Sequence, residues 1–281
     1  MPKHSLESIG RSVTELKKEL SREWSEHITD IRDSLDKRVD HIRAELEELV
    51  DELETRFGTD DSHVVFRALP EPRSMDMTLS DVLKARCTRR TFSDEPLSDR
   101  DLATVLWAAD GVNRSNGRRT TPSALDWREI DIYVLKANGI WRWVPEKNGL
   151  IFCELTDVRD KTYFAAPNLA IAPVHLVYVA NRHRTDTFLA RLGTRVLEKV
   201  RPDSWTPEKV EEVRERSMTI DVGVRIQSVY MAAEALGLAC VARTGFERDR
   251  VERVLRLREG ESVIAAQTLG YRPESILDAI R

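Results

Sequence analysis

The sequence predicts an α+β fold: an α-β-α sandwich with a mostly antiparallel sheet, preceded by a long amphipathic helix. Three observations carry this. Apolar residues recur at helical spacing over residues 5–57. Strand-like runs fall at residues 130–135, 140–144 and 174–180, the first two joined by Asn138-Gly139, a type I′ hairpin signal. The order along the body is helices, a hairpin, a strand, helices, then strand–helix–strand, the pattern of helices packed on both faces of one sheet.

Fifteen apolar positions from Leu6 to Phe57 are separated by steps of three or four, with a mean of 3.64, and nearly everything between them is charged. Ser5 is a suitable N-cap and Gly58 a suitable stop. A helix of that length runs about 80 Å. Its single narrow apolar stripe cannot bury itself, so a second helix is expected along it, as in a coiled coil. The mean repeat lies between the heptad and hendecad values, which implies weak supercoiling. The helix is either a docking element for a protein partner or higher assembly, or a reinforcement of dimerisation. Residues 58–73, with Pro70-Glu71-Pro72, read as a linker, and residues 74–281 as the folded domain.

Composition narrows the function. Of 281 residues, 41% are hydrophobic and 33% charged, the signature of a globular chain with some very polar segment. Residues 1–57 hold 10 Lys and Arg against 15 Asp and Glu, and the remainder 34 against 33. Neither part has the basic excess of a nucleic-acid binder. Three scattered cysteines (Cys87, Cys153, Cys240) with no CxxC argue against a disulfide framework or a structural zinc site. The first residues are charged and lack the apolar core of a secretory signal, and the longest apolar run, 164–180, is broken by Pro167, Asn168, Pro173 and His175. The expectation is a cytoplasmic protein without membrane or nucleic-acid partners.

Within the body, Thr78 or Ser80 opens a short helix over 77–85, and Ser98 caps a helix over 99–109 with Asp101 three residues on. Residues 150–155 offer a third strand. The β-branched run 174–180, apolar on both faces, reads as a central covered strand, with His175 a core residue. Helices are expected at 185–200, 207–218 and 220–236, the last an apolar central helix ended by Gly237. A strand at 238–242, a turn at Arg243-Thr244-Gly245-Phe246, a helix at 248–257 and a strand at 262–269 close the domain.

Between the first two body helices lies Lys84-Ala85-Arg86-Cys87-Thr88-Arg89-Arg90-Thr91-Phe92. Four cations and two hydroxyls at the end of a helix suit a phosphate, because Arg gives planar bidentate donors and Thr a neutral one. On these residues alone the plainer reading is a solvated basic helix end, which the helix dipole favours anyway. Three further stretches follow in order: Arg119-Thr120-Thr121-Pro122-Ser123-Ala124; Ala232-Ala233-Glu234-Ala235-Leu236-Gly237-Leu238 with Arg243-Thr244-Gly245-Phe246; and Leu269-Gly270-Tyr271-Arg272-Pro273. Together they resemble the FMN-dependent nitroreductase family, specifically the branch containing the SagB-type dehydrogenases, over about 200 residues.

The resemblance implies an FMN-dependent NAD(P)H oxidoreductase working as a homodimer with the flavin at its interface. Arg86, Cys87, Thr88 and Arg90 would lie at the FMN phosphate and ribityl chain, with Arg272 completing the phosphate site. Pro122, Ser123 and Ala124 would reach the flavin from the facing subunit, and Arg243, Thr244 and Gly245 would place backbone N–H groups near its ring. No side chain is expected to act as the catalytic group, and no metal is expected, because the flavin carries the chemistry. The implied mechanism is ping-pong: hydride from NADH or NADPH to the flavin, then to a small nitro, quinone or enone acceptor, or the reverse as a substrate dehydrogenation. Three features depart from the family pattern: Cys87 where a basic residue is usual, Asp126 where Asn is common, and the family's basic C-terminal arm, which is not expected here because Arg281 follows soon after Arg272. They motivate the alternative, a non-catalytic or assembly-bound dimeric scaffold whose N-terminal helix recruits a partner.

Overall fold

The computed structural model describes residues 65–162, 172–186 and 206–274. The chain divides into two units, Met1–His63 and Val64–Arg281. The expected helix over 5–57, and the helix over 185–200 beyond Asp186, lie outside the described residues.

The second unit is built on one seven-stranded sheet. Its strands are β1 (Phe66–Ala68), β2 (Ile130–Lys136), β3 (Gly139–Val144), β4 (Gly149–Glu154), β5 (Val174–Asn181), β6 (Leu238–Arg243) and β7 (Glu261–Tyr271). They run in the order β1-β4-β3-β2-β5-β7-β6, and every neighbouring pair is antiparallel. The helices are α1 (Leu79–Ala85), α2 (Asp99–Asp110), α3 (Pro207–Ala235) and α4 (Arg248–Val254).

The side-chain alternation of the strands splits the core in two. Ile132, Val134, Leu176, Tyr178 and Ala180 face α2 and α3, where they meet Leu102, Leu106, Val222 and Val229. Tyr133, Leu135, Val177 and Val179 face the other way and pack on Val251 and Leu255 at α4. The result is the expected α-β-α sandwich. β5 lies centrally, every one of its residues is buried, and His175 is a fully buried core residue. Trp141 and Trp143 share one face of β3 and are both buried, Trp141 edge-on to Phe152 at 5.1 Å between ring centroids.

Caps fix the helix starts. Thr78 accepts from the Asp81 amide at 3.2 Å, and Ser98 both accepts from the Asp101 amide (3.1 Å) and donates to its carboxylate (2.9 Å). Three local readings change. Phe66–Ala68, within the segment read as linker, forms an edge strand on β4. The helices expected at 207–218 and 220–236 are one 29-residue helix, α3. No proline ends it near position 219, and the Thr219 hydroxyl, instead of capping a new helix, turns back to the Glu215 carbonyl at 3.2 Å. The hairpin turn is Ala137-Asn138, not Asn138-Gly139, and neither of its residues has a positive φ. Gly139 instead begins β3 with φ 126°, against the Glu154 carbonyl.

Candidate functional site

Two groups of sequence-predicted residues come to different sides of α3. The first is the basic stretch. α1 ends at Arg86, and the chain then runs along the outer edge of β6, the last strand of the sheet. Edge strands leave alternate backbone groups unpaired. Here the Cys240 carbonyl accepts the Arg89 amide at 3.1 Å, and the Ala242 amide donates to the Tyr230 hydroxyl at 2.7 Å. Tyr230, on α3, also takes the Thr88 hydroxyl at 3.4 Å and carries the Arg86 guanidinium over its ring, 5.4 Å from the centroid. Arg86 and Thr88 are thereby tied to the strand that leads into Arg243-Thr244-Gly245.

The cations here are unequally partnered. Arg89 and Arg272 both bond Glu234, whose side chain is only 6% exposed, and Arg272 also donates to the Leu238 carbonyl at 3.2 Å. Arg86 and Arg90 have no ion-pair partner among the described residues. Cys87 is exposed beside them, while the Cys240 thiol is buried and pushed up to about 12 by desolvation. The Arg243 side chain turns inward, to the Thr162 carbonyl and the Thr162 and Thr268 hydroxyls. Beyond it, a Cβ built on Gly245 would meet nothing within 4 Å among the described residues.

The second group is the Pro122-Ser123-Ala124 loop. It is set by hydroxyls that satisfy the last carbonyls of α2: Thr120 donates to Trp107 and Thr121 to Ala109, each at 2.8 Å. The Ser123 hydroxyl accepts the Arg128 amide at 2.9 Å, and the Ala124 amide donates to Asp221 of α3 at 3.2 Å. Asp126 and Arg128 both stand in the left-handed region, with φ 56° and 53°. Non-glycine residues are uncommon there, aspartate less so than arginine. Arg128 pairs with both oxygens of Asp126, at 2.9 and 3.0 Å, so the charge at the Asn-to-Asp departure is neutralised locally.

Beneath this loop lies a buried charge network that sequence reasoning missed. Arg225, fully buried on α3, donates to the Asp110 carboxylate at 2.9 Å and lies 3.9 Å from Asp221. Arg119 joins Asp110 and Glu146. Burial holds the Asp110 carboxyl above its usual range despite both arginines. Glu129 is fully buried, with no hydrogen-bond partner on either oxygen among the described residues, and desolvation, reinforced by Asp221, raises its pKa to about 7.

Asp221 and Tyr230 anchor the two groups. Nine residues apart on α3, they are separated by two and a half turns, half a turn out of phase and about 13 Å along the axis. One chain therefore does not bring Ala124 to Arg86.

The sequence profile of the Nitroreductase family matches residues 83–271, about two thirds of the chain. The chain belongs to the nitroreductase family. A Methanocaldococcus jannaschii protein named as a candidate nitroreductase is 27% identical over 197 residues, covering 67% of this chain and 89% of that one. A crystal structure described as a candidate nitroreductase from Ralstonia eutropha JMP134 superposes with a TM-score of 0.61 at 29% identity, covering 75% of this chain and 90% of that one. A chain of the E. coli microcin synthetase complex shares the fold at 16% identity and TM-score 0.54, over 79% of this chain and 81% of that one. Membership of the nitroreductase family makes this an oxidoreductase of the nitroreductase type. Among its described residues, no helix is long and apolar enough to cross a membrane, and no cluster of His, Cys, Asp or Glu is arranged to hold a metal.

Proposed function

We propose that this nitroreductase-family protein is an FMN-dependent NAD(P)H oxidoreductase whose flavin sites lie at the interface of a homodimer. The observation that carries the reading is the Arg86–Arg90 stretch. Two cations without carboxylate partners among the described residues, and a threonine hydroxyl, stand beside the strand leading to the glycine turn. A phosphate monoester needs such fixed donors, and a flat ring needs a backbone it can approach closely. When bound, FMN supplies the redox chemistry, accepting hydride from NADH or NADPH and passing it in a second half-reaction to a small organic acceptor.

The chain's own residues bind and orient. Arg86, Thr88 and Arg90 hold the phosphate, Arg272 adds a third cation at the rim, and exposed Cys87 stands between Arg86 and Thr88. Arg243, Thr244 and Gly245 offer backbone to the ring, with Arg243 fixed by its inward contacts to Thr162 and Thr268. The half-turn offset between Asp221 and Tyr230 favours a two-fold arrangement in which Pro122, Ser123 and Ala124 of one protomer serve the site of its partner.

An absorbance spectrum of the purified protein, followed by anaerobic addition of NADH and NADPH, tests the reading. Flavin bands that bleach on addition are expected. A colourless protein that takes up no added FMN would overturn it.

A further inference from the structure

We propose that Glu234 is a positioning residue for the anion clamp: by holding Arg89 and Arg272 it sets the geometry in which Arg86, Thr88 and Arg90 receive the FMN phosphate. The inference rests on the FMN reading above and assigns a role to a residue that touches neither phosphate nor ring.

Glu234 lies one helical turn beyond Tyr230, on the same face of α3. Its carboxylate gathers two elements from distant parts of the chain. Arg89, from the loop after α1, reaches it with both terminal nitrogens, the longer contact at 3.4 Å. Arg272, at the end of β7, reaches it at 3.0 Å. Each arginine has a second anchor, Arg89 through its amide to Cys240 and Arg272 through Nε to Leu238. Arg89 stands directly between Thr88 and Arg90, so pinning it at backbone and side chain fixes the direction in which both neighbours point. One carboxylate between two arginines also leaves a net positive charge, so the cluster holds its shape while remaining attractive to an anion.

A competing role gives the opposite sign. If Glu234 only neutralises surplus charge, removing it releases two arginines to the phosphate and tightens binding. If it positions, removing it loosens the clamp. The ratio of riboflavin to FMN dissociation constants isolates the phosphate contribution, because the two ligands differ only there, and a general loss of structure weakens both alike.

The test is fluorescence titration of the flavin-stripped full-length protein with FMN and with riboflavin, for the parent, Glu234→Gln and Glu234→Asp. The expected result is a fall in the ratio of about 10-fold in both variants, the size of one lost charge-assisted contact. Glu234→Asp keeps the charge and shortens the reach, so its ratio falls only if geometry matters, and it decides alone should Glu234→Gln not fold. A ratio unchanged or raised in the folded variants would overturn the proposal and leave the FMN reading standing. A parent that binds FMN no better than riboflavin would overturn both.

Discussion

The Tyr230 hydroxyl accepts the Ala242 amide at 2.7 Å, joining the C-terminal part of α3 to the outer edge of β6. The same phenol takes the Thr88 hydroxyl, and its ring lies under Arg86, so one side chain links the basic stretch to the strand that leads into Arg243-Thr244-Gly245. Tyr230→Phe keeps the ring and removes the acceptor. It should cost about 1 kcal/mol of stability. Urea denaturation measures the loss, and faster hydrogen exchange at Ala242 locates it; an amide as protected as in the parent would contradict the assignment.

Arg90 is exposed and has no carboxylate partner among the described residues, and the FMN reading gives its guanidinium to the phosphate. Arg90→Ala should weaken FMN by about 1.5–3 kcal/mol, roughly 10- to 150-fold in dissociation constant, with little change in stability. Equal FMN affinity in parent and variant, by calorimetry, would remove Arg90 from the phosphate site.

Arg225 is the fully buried cation between Asp110 and Asp221. Arg225→Met would leave the Asp110 carboxylate with only Arg119, and breaking a buried pair from one side costs about 3–5 kcal/mol. A thermal melt should show a markedly destabilised protein. Asp221 would lose the cation 3.9 Å away as well, so the Pro122–Ala124 loop should exchange faster.

Glu129 gives the stability curve a direction. Its folded pKa, about 7, lies above the ordinary 4.5, so the folded state binds the proton more tightly. Stability from this group is full below about pH 4.5 and falls as pH rises toward 7, by up to about 3 kcal/mol. Asp110, also raised, contributes with the same sign. Glu129→Gln should flatten the decline between pH 5 and 8 and be the more stable protein at pH 8. Parallel stability profiles for parent and variant would refute the assignment.

At Gly139 an added Cβ would sit 2.3 Å from the Glu154 carbonyl oxygen, at a φ of 126°. Gly139→Ala should therefore destabilise the β2–β3–β4 meander by about 1–3 kcal/mol. Chemical denaturation checks it; a neutral result would mean that β4 shifts to make room.

Local pattern made much of this fold legible. The β-branched run at β5 announced a strand covered on both faces, and Ser98 with Asp101 announced the start of α2. The short edge strand β1 carried no such signal. Its three residues are held by pairing with β4, and Phe66 remains 41% exposed. The continuity of α3 was hidden because its composition turns from charged to apolar midway, which imitates a boundary. The basic stretch was visible as a donor cluster, but its partners were not. Tyr230 and Glu234 meet residues more than 140 positions away, and only tertiary packing supplies that contact. The one available hint for Glu234 was an acid inside the otherwise apolar Ala232-Ala233-Glu234-Ala235-Leu236 run. Arg225 and Asp221 were overlooked because charged residues at helical spacing usually face solvent.

The contacts along β6 have a second effect. β6 ends the sheet, and its outward Cys240 carbonyl and Ala242 amide are taken by Arg89 and Tyr230. Those two groups would otherwise offer a template to a strand from another chain. The loop that builds the candidate site is thus also the cover that keeps the sheet from growing. Variants that loosen it should reveal themselves as self-associating proteins as well as weaker binders, and poor solubility in such a variant would report an uncovered edge, not a failed core.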